Sequence, residues 1–227
     1  MFRTRSLTFA MFVGAFIVFS GIVASGATSA IDGPVNSYAD AIQGNAGLDA
    51  AMITITTMGD LATLFVFAII ITIIRRTRKA GMIFLITMVA LAIAVMYLKP
   101  FVGRPAPPYE FTPALQLPEN FGIEGDSFAP FALGYSYPSG HMARATALAF
   151  IVGYLVYQKS RPAGYAIWAF PVMIGITRVY VQQHFPTDLV GGFLVGVIVS
   201  VAMSNAMKLW QPFQLSRFKG KEDEKTA

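Results

Sequence analysis

Six apolar stretches dominate the sequence: Leu7–Gly26, Ala50–Ile74, Ala80–Leu98, Met142–Tyr157, Pro162–Val181 and Thr187–Met207. A helix needs about 20 apolar residues to cross a bilayer core. Within that core each backbone polar group must find a partner inside the protein, which restricts spanning segments to helices and closed barrels. The fourth and fifth stretches are the shortest for a crossing, so their ends are the least defined. Hydrophobic residues make up 55% of the chain and charged residues 13%, whereas soluble domains carry about 25% charged residues. The expected fold is therefore all-α: a polytopic membrane protein built as a six-transmembrane-helix bundle. It is read as one domain over residues 1–208. Residues 209–227 form a cytoplasmic, disordered tail ending in the mixed-charge run Lys219–Lys225.

Two connections stand out. Thr28–Asp49 reads as a loop with a short amphipathic piece, and Lys99–Pro138 as a long loop rich in proline, aromatic residues and acids. Arg3, Arg5 and Ala24-Ser25-Gly26-Ala27 frame the first apolar run in the manner of a signal peptide. That run exceeds the usual signal core of about 7–15 residues and is read as a retained helix.

Charge sets the orientation. Lysine and arginine in short loops mark the cytoplasmic side. Arg3 and Arg5, Arg75, Arg76, Arg78 and Lys79, Lys159 and Arg161, and Lys208 with the tail lysines all fall on one side if the chain crosses six times. Asp32, Asp40, Asp49, Glu110, Glu119, Glu124 and Asp126 fall on the other. The chain is thus expected in the cell membrane, multi-pass, with both termini cytoplasmic. The net charge of +5 belongs to the lipid-facing cytoplasmic surface, so membrane lipids and not nucleic acid are the expected partners. With no cysteine in the chain, disulfides, thiolate chemistry and cysteine-ligated metals are excluded.

A few polar residues break the pattern. Lys99, Arg104, Arg144 and Arg178, together with the chain's two histidines and Asp188, map to the extracytoplasmic ends of helices. Ionisable groups at such depth are costly and usually functional. In the sequence Tyr137-Pro138-Ser139-Gly140-His141, Ser139 is a good N-cap and Gly140 and His141 fall in the first helical turn. Free N–H groups there attract an anion. Lys99, Arg104 and Arg178 supply cations to the same place, which together describe a phosphate site. His184 precedes the last helix, Pro186 suits its first position and Asp188 lies in its first turn. A carboxylate beside histidine fixes one ring nitrogen and leaves the other as nucleophile or base. Two histidines thus offer one group to attack phosphorus and one to protonate the leaving oxygen. This chemistry requires neither metal nor other cofactor.

Lys99, Arg104-Pro105, Pro138-Ser139-Gly140-His141, and Thr177-Arg178 followed by His184 and Asp188, in that order, resemble the type 2 phosphatidic acid phosphatase family, which is related to vanadium haloperoxidases and bacterial acid phosphatases. The resemblance spans roughly Ala50 to Met207, with core motifs between 99 and 188. It implies a phosphatase/haloperoxidase-like helical core and a phosphatase acting on a lipid phosphate or diphosphate at the extracytoplasmic face. It also implies His184 as the nucleophile forming phosphohistidine, Asp188 as its orienting partner and His141 as acid and then base. Lys99, Arg104, Ser139, Gly140 and Arg178 would hold the phosphate. The family's first motif usually places an arginine seven positions after its lysine, where this chain has Ala106. A lipid-linked phosphotransferase would use the same residues. A transporter for anionic lipids would use the cations without needing the histidine pair.

Other polar residues take plainer expectations. Arg144 is read as snorkelling outward in preference to touching substrate, Asp60 as a polar contact within the bundle in preference to a site residue, and Gly192 with Gly196 as a helix-packing pair. Trp168 and Trp210 are read as bundle or interface residues. Tyr109, Phe111, Phe121 and Tyr135 either line a lipid entrance or pack the long loop on itself.

Overall fold

In the computed structural model, residues 3–118, 122–123, 125–126 and 129–211 are described. The expected tail beyond Gln211, and Glu119, Phe121 and Glu124, lie outside them. The order of helices is α1 (Leu7–Ala24), α2 (Ser29–Ala41), α3 (Ala46–Thr57), α4 (Leu61–Ile73), α5 (Arg78–Val102), α6 (Gly140–Tyr157), α7 (Arg161–Ala166), α8 (Ala169–Tyr180) and α9 (Pro186–Ala206), with one 3-10 turn at Pro130–Ala132. No strand occurs among the described residues, as expected of an all-α chain. A single bridge between Pro105 and Tyr135 ties the base of the long loop.

α6 lies at the centre, packed against α9, α5, α8 and α7. Ala143, Ala147 and Ile151 of α6 meet Ile83, Phe84, Met88 and Leu91 of α5 and Val195 of α9 in the core. The small residues allow the close approach. A Cβ on Gly192 would stand 2.4 Å from the Ser139 carbonyl oxygen, and one on Gly196 2.7 Å from that of Ala143. The expected glycine pair therefore does hold α9 against α6, beside Ser139 and Ala143. The periphery is the reverse of a soluble protein's. Met11, Ile17 and Val18 of α1, Ile70 and Ile73 of α4, and Val89 and Ile93 of α5 are exposed, as befits a membrane protein whose outer solvent is lipid.

Among the described residues, α1, α5 and α9 are long and apolar enough to cross a membrane alone; α3 and α4, bent by 52° at their junction, add a fourth crossing if they count as one. The other two apolar stretches differ from simple spans for identifiable reasons. α6 opens on His141 and Arg144 and is buried on most sides. The fifth stretch breaks near Trp168 into α7 and α8. The segment Thr28–Asp49 is more ordered than its loop expectation, because α2 buries Asp32, Asn36 and Ala39 on one face.

Candidate active site

Ser139 adopts an extended conformation and caps α6, its Oγ accepting the Met142 N–H at 3.4 Å. This leaves the N–H groups of Gly140 and His141 pointing out of the helix, and both meet one carboxylate. Gly140 donates to Asp126 Oδ2 at 2.6 Å and His141 to Oδ1 at 2.9 Å. His141 Nδ1 lies 2.5 Å from Asp126 Oδ1, and His184 Nε2 lies 2.5 Å from Oδ2. Lys99 Nζ stands 3.9 Å away and an Arg144 guanidinium nitrogen 4.0 Å away. The Asp126 side chain is wholly buried. Burial by itself raises its carboxyl, but the charges and hydrogen bonds of His184 and His141 outweigh burial and hold it well below the usual carboxylate range.

His184 is set by the turn between α8 and α9. Gln182 takes a left-handed conformation (φ 56°), and the N–H groups of Gln183 and His184 both return to the Arg178 carbonyl. Asn36 of α2 clamps this turn: its amide donates to Gln182 Oε1 at 2.9 Å and to the His184 carbonyl at 3.1 Å, while Gln182 donates back to the Asn36 carbonyl. Asp188 Oδ2 accepts the Phe185 N–H at 2.8 Å, closing the first turn of α9, and lies 3.6 Å from His184 Nδ1.

Arg104 takes a place different from the one expected. Its guanidinium bridges Asp188 Oδ1 at 2.7 Å and Asp32 Oδ2 at 2.5 Å, donates to the Thr187 hydroxyl, and lies 4.1 Å from the Phe185 ring centroid. Its donors are thus directed to carboxylates and a hydroxyl, not to the anion position held by Asp126. Asp32 also accepts the Thr187 N–H and hydroxyl. Burial raises the Asp32 carboxyl, but bonds from Thr187 and Arg104 prevail and lower it.

The other expected site residues converge. His141, His184, Gly140 and Lys99 surround the position of the Asp126 carboxylate, Ser139 caps the helix that presents it, and Asp188 stands beside His184. Arg178 is fully buried, donates to Thr56 at 3.3 Å, and its charge bears on both Lys99 and His141. Ala106 lines a cavity of about 240 Å³ with Lys99, Asp126 and His184, so the position expected to carry arginine does face the site.

Four residues exceed their sequence expectations. Arg144 does not snorkel: it is 2% exposed, with a guanidinium nitrogen 3.2 Å from His141 Nδ1. Its spacing of one turn from His141 was the available signal. Asp60, at the bend between α3 and α4, places Oδ1 3.0 Å from His141 Nε2. Asp32 and Asp126 were visible in the sequence only as acids on the side expected to be extracytoplasmic.

The family model of the PAP2 superfamily matches residues 80–212, more than half the chain and all of this geometry except α2, Thr56 and Asp60. The chain belongs to the PAP2 superfamily. Over 84 residues it is 27% identical to undecaprenyl-diphosphatase BcrC of Bacillus subtilis, covering 37% of this chain and 42% of that protein. Over 81 residues it is 33% identical to phosphatidylglycerophosphatase B of the same species, covering 32% and 40%. Over 130 residues it is 31% identical to an undecaprenyl-diphosphatase of Sulfolobus acidocaldarius, covering 56% and 55%. The chain spans about half the length of the curated relatives it matches. Its fold is that of a crystallised transmembrane PAP2-type phosphatidylglycerolphosphate phosphatase from Bacillus subtilis, with a TM-score of 0.71 at 20% identity over 91% of this chain and 98% of that one. Aquifex aeolicus LpxE is also similar, with a TM-score of 0.57 at 21% identity over 76% and 94% of the two chains.

Proposed function

We propose that this PAP2 chain is an integral membrane phosphatase that hydrolyses a lipid phosphate or diphosphate at the extracytoplasmic face through a phosphohistidine on His184. The observation that carries this is the meeting of His141 Nδ1, His184 Nε2 and two backbone N–H groups on one buried anion position. A phosphoryl group there lies between a nucleophile and a proton donor. His184 Nε2 attacks phosphorus, the bond from phosphorus to the lipid oxygen breaks, and His141 gives that oxygen a proton. His141 then takes a proton from water as the water attacks the phosphohistidine and frees inorganic phosphate. The N–H groups, Lys99, Arg144 and Arg178 stabilise charge on the non-bridging oxygens. Asp188 orients His184; its 3.6 Å separation closes as the ring turns to attack, since such bonds are often long before substrate binds.

A lipid substrate is supported by an apolar cavity of about 590 Å³, lined by Met142, Pro186 and Leu189 beside the catalytic residues and by Val172, Ile176 and Phe193. The relatives' names place undecaprenyl diphosphate and phosphatidylglycerophosphate among the substrates to try. The extracytoplasmic location rests on charge. Arg75, Arg76, Arg78 and Lys79 line a cavity with Tyr154 and Leu155, near the end of α6 opposite His141 and about 20 Å from it along the axis. Arg3, Arg5 and Lys208 gather around the end of α9. In the six-crossing topology α3–α4 forms one bent crossing, and α6, at 18 residues, is about 27 Å long and nearly matches the bilayer core.

The test is phosphate release by the purified chain in detergent with EDTA, offered phosphatidate, phosphatidylglycerophosphate and a polyprenyl diphosphate. Release from at least one lipid at undiminished rate is expected. Strict dependence on added metal, or no release from any, would refute the mechanism.

Asp60 extends the assignment. Its carboxylate backs His141 Nε2 and so turns Nδ1 toward the phosphate, the same orienting role that Asp188 has for His184. Asp60→Asn is expected to lower kcat by about tenfold to a hundredfold with little change in KM. A raised KM with kcat unchanged would instead mark it as a substrate-binding group.

A further inference from the structure

We infer that Asp126 is an intramolecular competitor of the substrate phosphate, whose carboxylate occupies the oxyanion position between His141, His184 and the N-terminus of α6. The inference rests on the phosphatase function proposed for the same site. The donors around Asp126 are those a phosphate needs: two backbone N–H groups, two imidazoles, and the cations of Lys99 and Arg144. With the Asp126 side chain wholly buried among them, carboxylate and phosphate cannot occupy the position together.

The contact also disables the nucleophile. A carboxylate only accepts hydrogen bonds, so the 2.5 Å contact between His184 Nε2 and Asp126 Oδ2 requires the proton on Nε2. Attack on phosphorus uses the lone pair of that same nitrogen. The site is therefore closed both sterically and in protonation until the carboxylate leaves.

Departure is feasible in this geometry. Asp126 belongs to the loop between α5 and α6, whose base is fixed by the Pro105–Tyr135 bridge and by the Ser136 N–H bond to the Arg104 carbonyl. The 240 Å³ cavity lined by Lys99, Ala106 and Gly125 adjoins the carboxylate and gives it somewhere to go. The small side chain of Ala106 keeps that cavity open and leaves Asp126 without the extra cation an arginine there would bring. A phosphate monoester or diphosphate, carrying more charge than a carboxylate, takes the place of Asp126 among the same donors. Every ligand of the open site is weakened by the factor that the closed population sets.

The test compares wild type with Asp126→Ala and Asp126→Asn, each as the full chain in detergent with EDTA. Inhibition constants for orthovanadate and inorganic phosphate are expected to fall by about tenfold or more in Asp126→Ala, with a smaller fall in Asp126→Asn. Acetate is expected to compete with phosphate in Asp126→Ala and to have no effect on wild type. Unchanged or weaker anion inhibition in both variants would overturn the inference. A readout that needs no turnover is thermal unfolding with and without inorganic phosphate. A larger stabilisation of Asp126→Ala than of wild type supports the inference, and an equal or smaller one counts against it. Failure of the catalytic assignment has a different signature: phosphate release that persists in His184→Ala or disappears with EDTA.

Discussion

His184→Ala is expected to lose at least about 10⁴-fold of the chelator-resistant phosphate release while folding as wild type does. The fold is preserved because the main chain, not the imidazole, holds position 184. Its N–H returns to the Arg178 carbonyl, and its carbonyl accepts from Asn36. Neither contact is lost with alanine, so the melting temperature is expected to stay within a few degrees of wild type. Activity falls because, among the described residues, the remaining neighbours of the anion position are cations, N–H groups and His141, which serves as acid and base. His141→Ala separates the two roles. It leaves His184 in place and removes the proton donor, so an activated substrate such as p-nitrophenyl phosphate, whose leaving group needs no proton, is expected to recover the first step as a burst of p-nitrophenol, while hydrolysis of the phosphohistidine stays slow without His141 as base. The same substrate is expected to do nothing for His184→Ala. Equal rescue of both variants would exclude the division of roles. Acid-labile labelling of residue 184 during turnover would be direct support.

What the sequence revealed of this site follows the range of the interactions involved. The cap at Ser139, the exposed N–H groups behind it and the proline that starts α9 are set by neighbours a few residues apart, and each was legible. Lys99 and Arg178 were legible because cations at the apolar end of a helix have few other uses. Asp60, Asp126 and Asp32, which escaped, depend on contacts 14 to 155 positions away. Asp60 looked like an ordinary polar residue in a continuous span, since nothing in Ala50–Ile74 announces the bend that aims it at His141 apart from Gly59. Gly59 is where a Cβ would stand 3.3 Å from the His141 ring. Asp126 sat in a loop whose path no local pattern determines. In α2, Asp32 and Asn36 are four residues apart, so one polar helical face was readable, but nothing showed that it faced the turn carrying His184. The span count was blurred for a related reason. α6 is shielded by other helices, which lets it carry polar groups that a lipid-facing helix could not.

Arg104 is where sequence expectation and geometry diverge most, and they predict different kinetics. A phosphate ligand removed as Arg104→Ala would chiefly raise KM. The observed bridge predicts a loss of kcat and of stability together. Asp188 and Asp32 are 0% and 1% exposed in their side chains, and both take hydrogen bonds from this one guanidinium. Without it, two buried carboxylates face each other with no cation between them, a change that costs about 3–5 kcal/mol when a buried ion pair is broken. Asp188 would then be drawn from its position beside His184, and kcat is expected to fall about a hundredfold or more, with KM within a few fold of wild type. Arg104→Lys sharpens the distinction. One ammonium can hold Asp188 or Asp32 but lacks the planar fork that serves both, so stability and kcat are expected to recover in part and in parallel. Asp32→Asn is expected to lower both as well, although Asp32 lies about 150 residues from His184 in sequence and in a helix outside the matched family region. A normal melting temperature with a raised KM in Arg104→Ala would return Arg104 to the phosphate. A parallel fall in stability and kcat would establish α2 as part of the apparatus that aims the catalytic histidine.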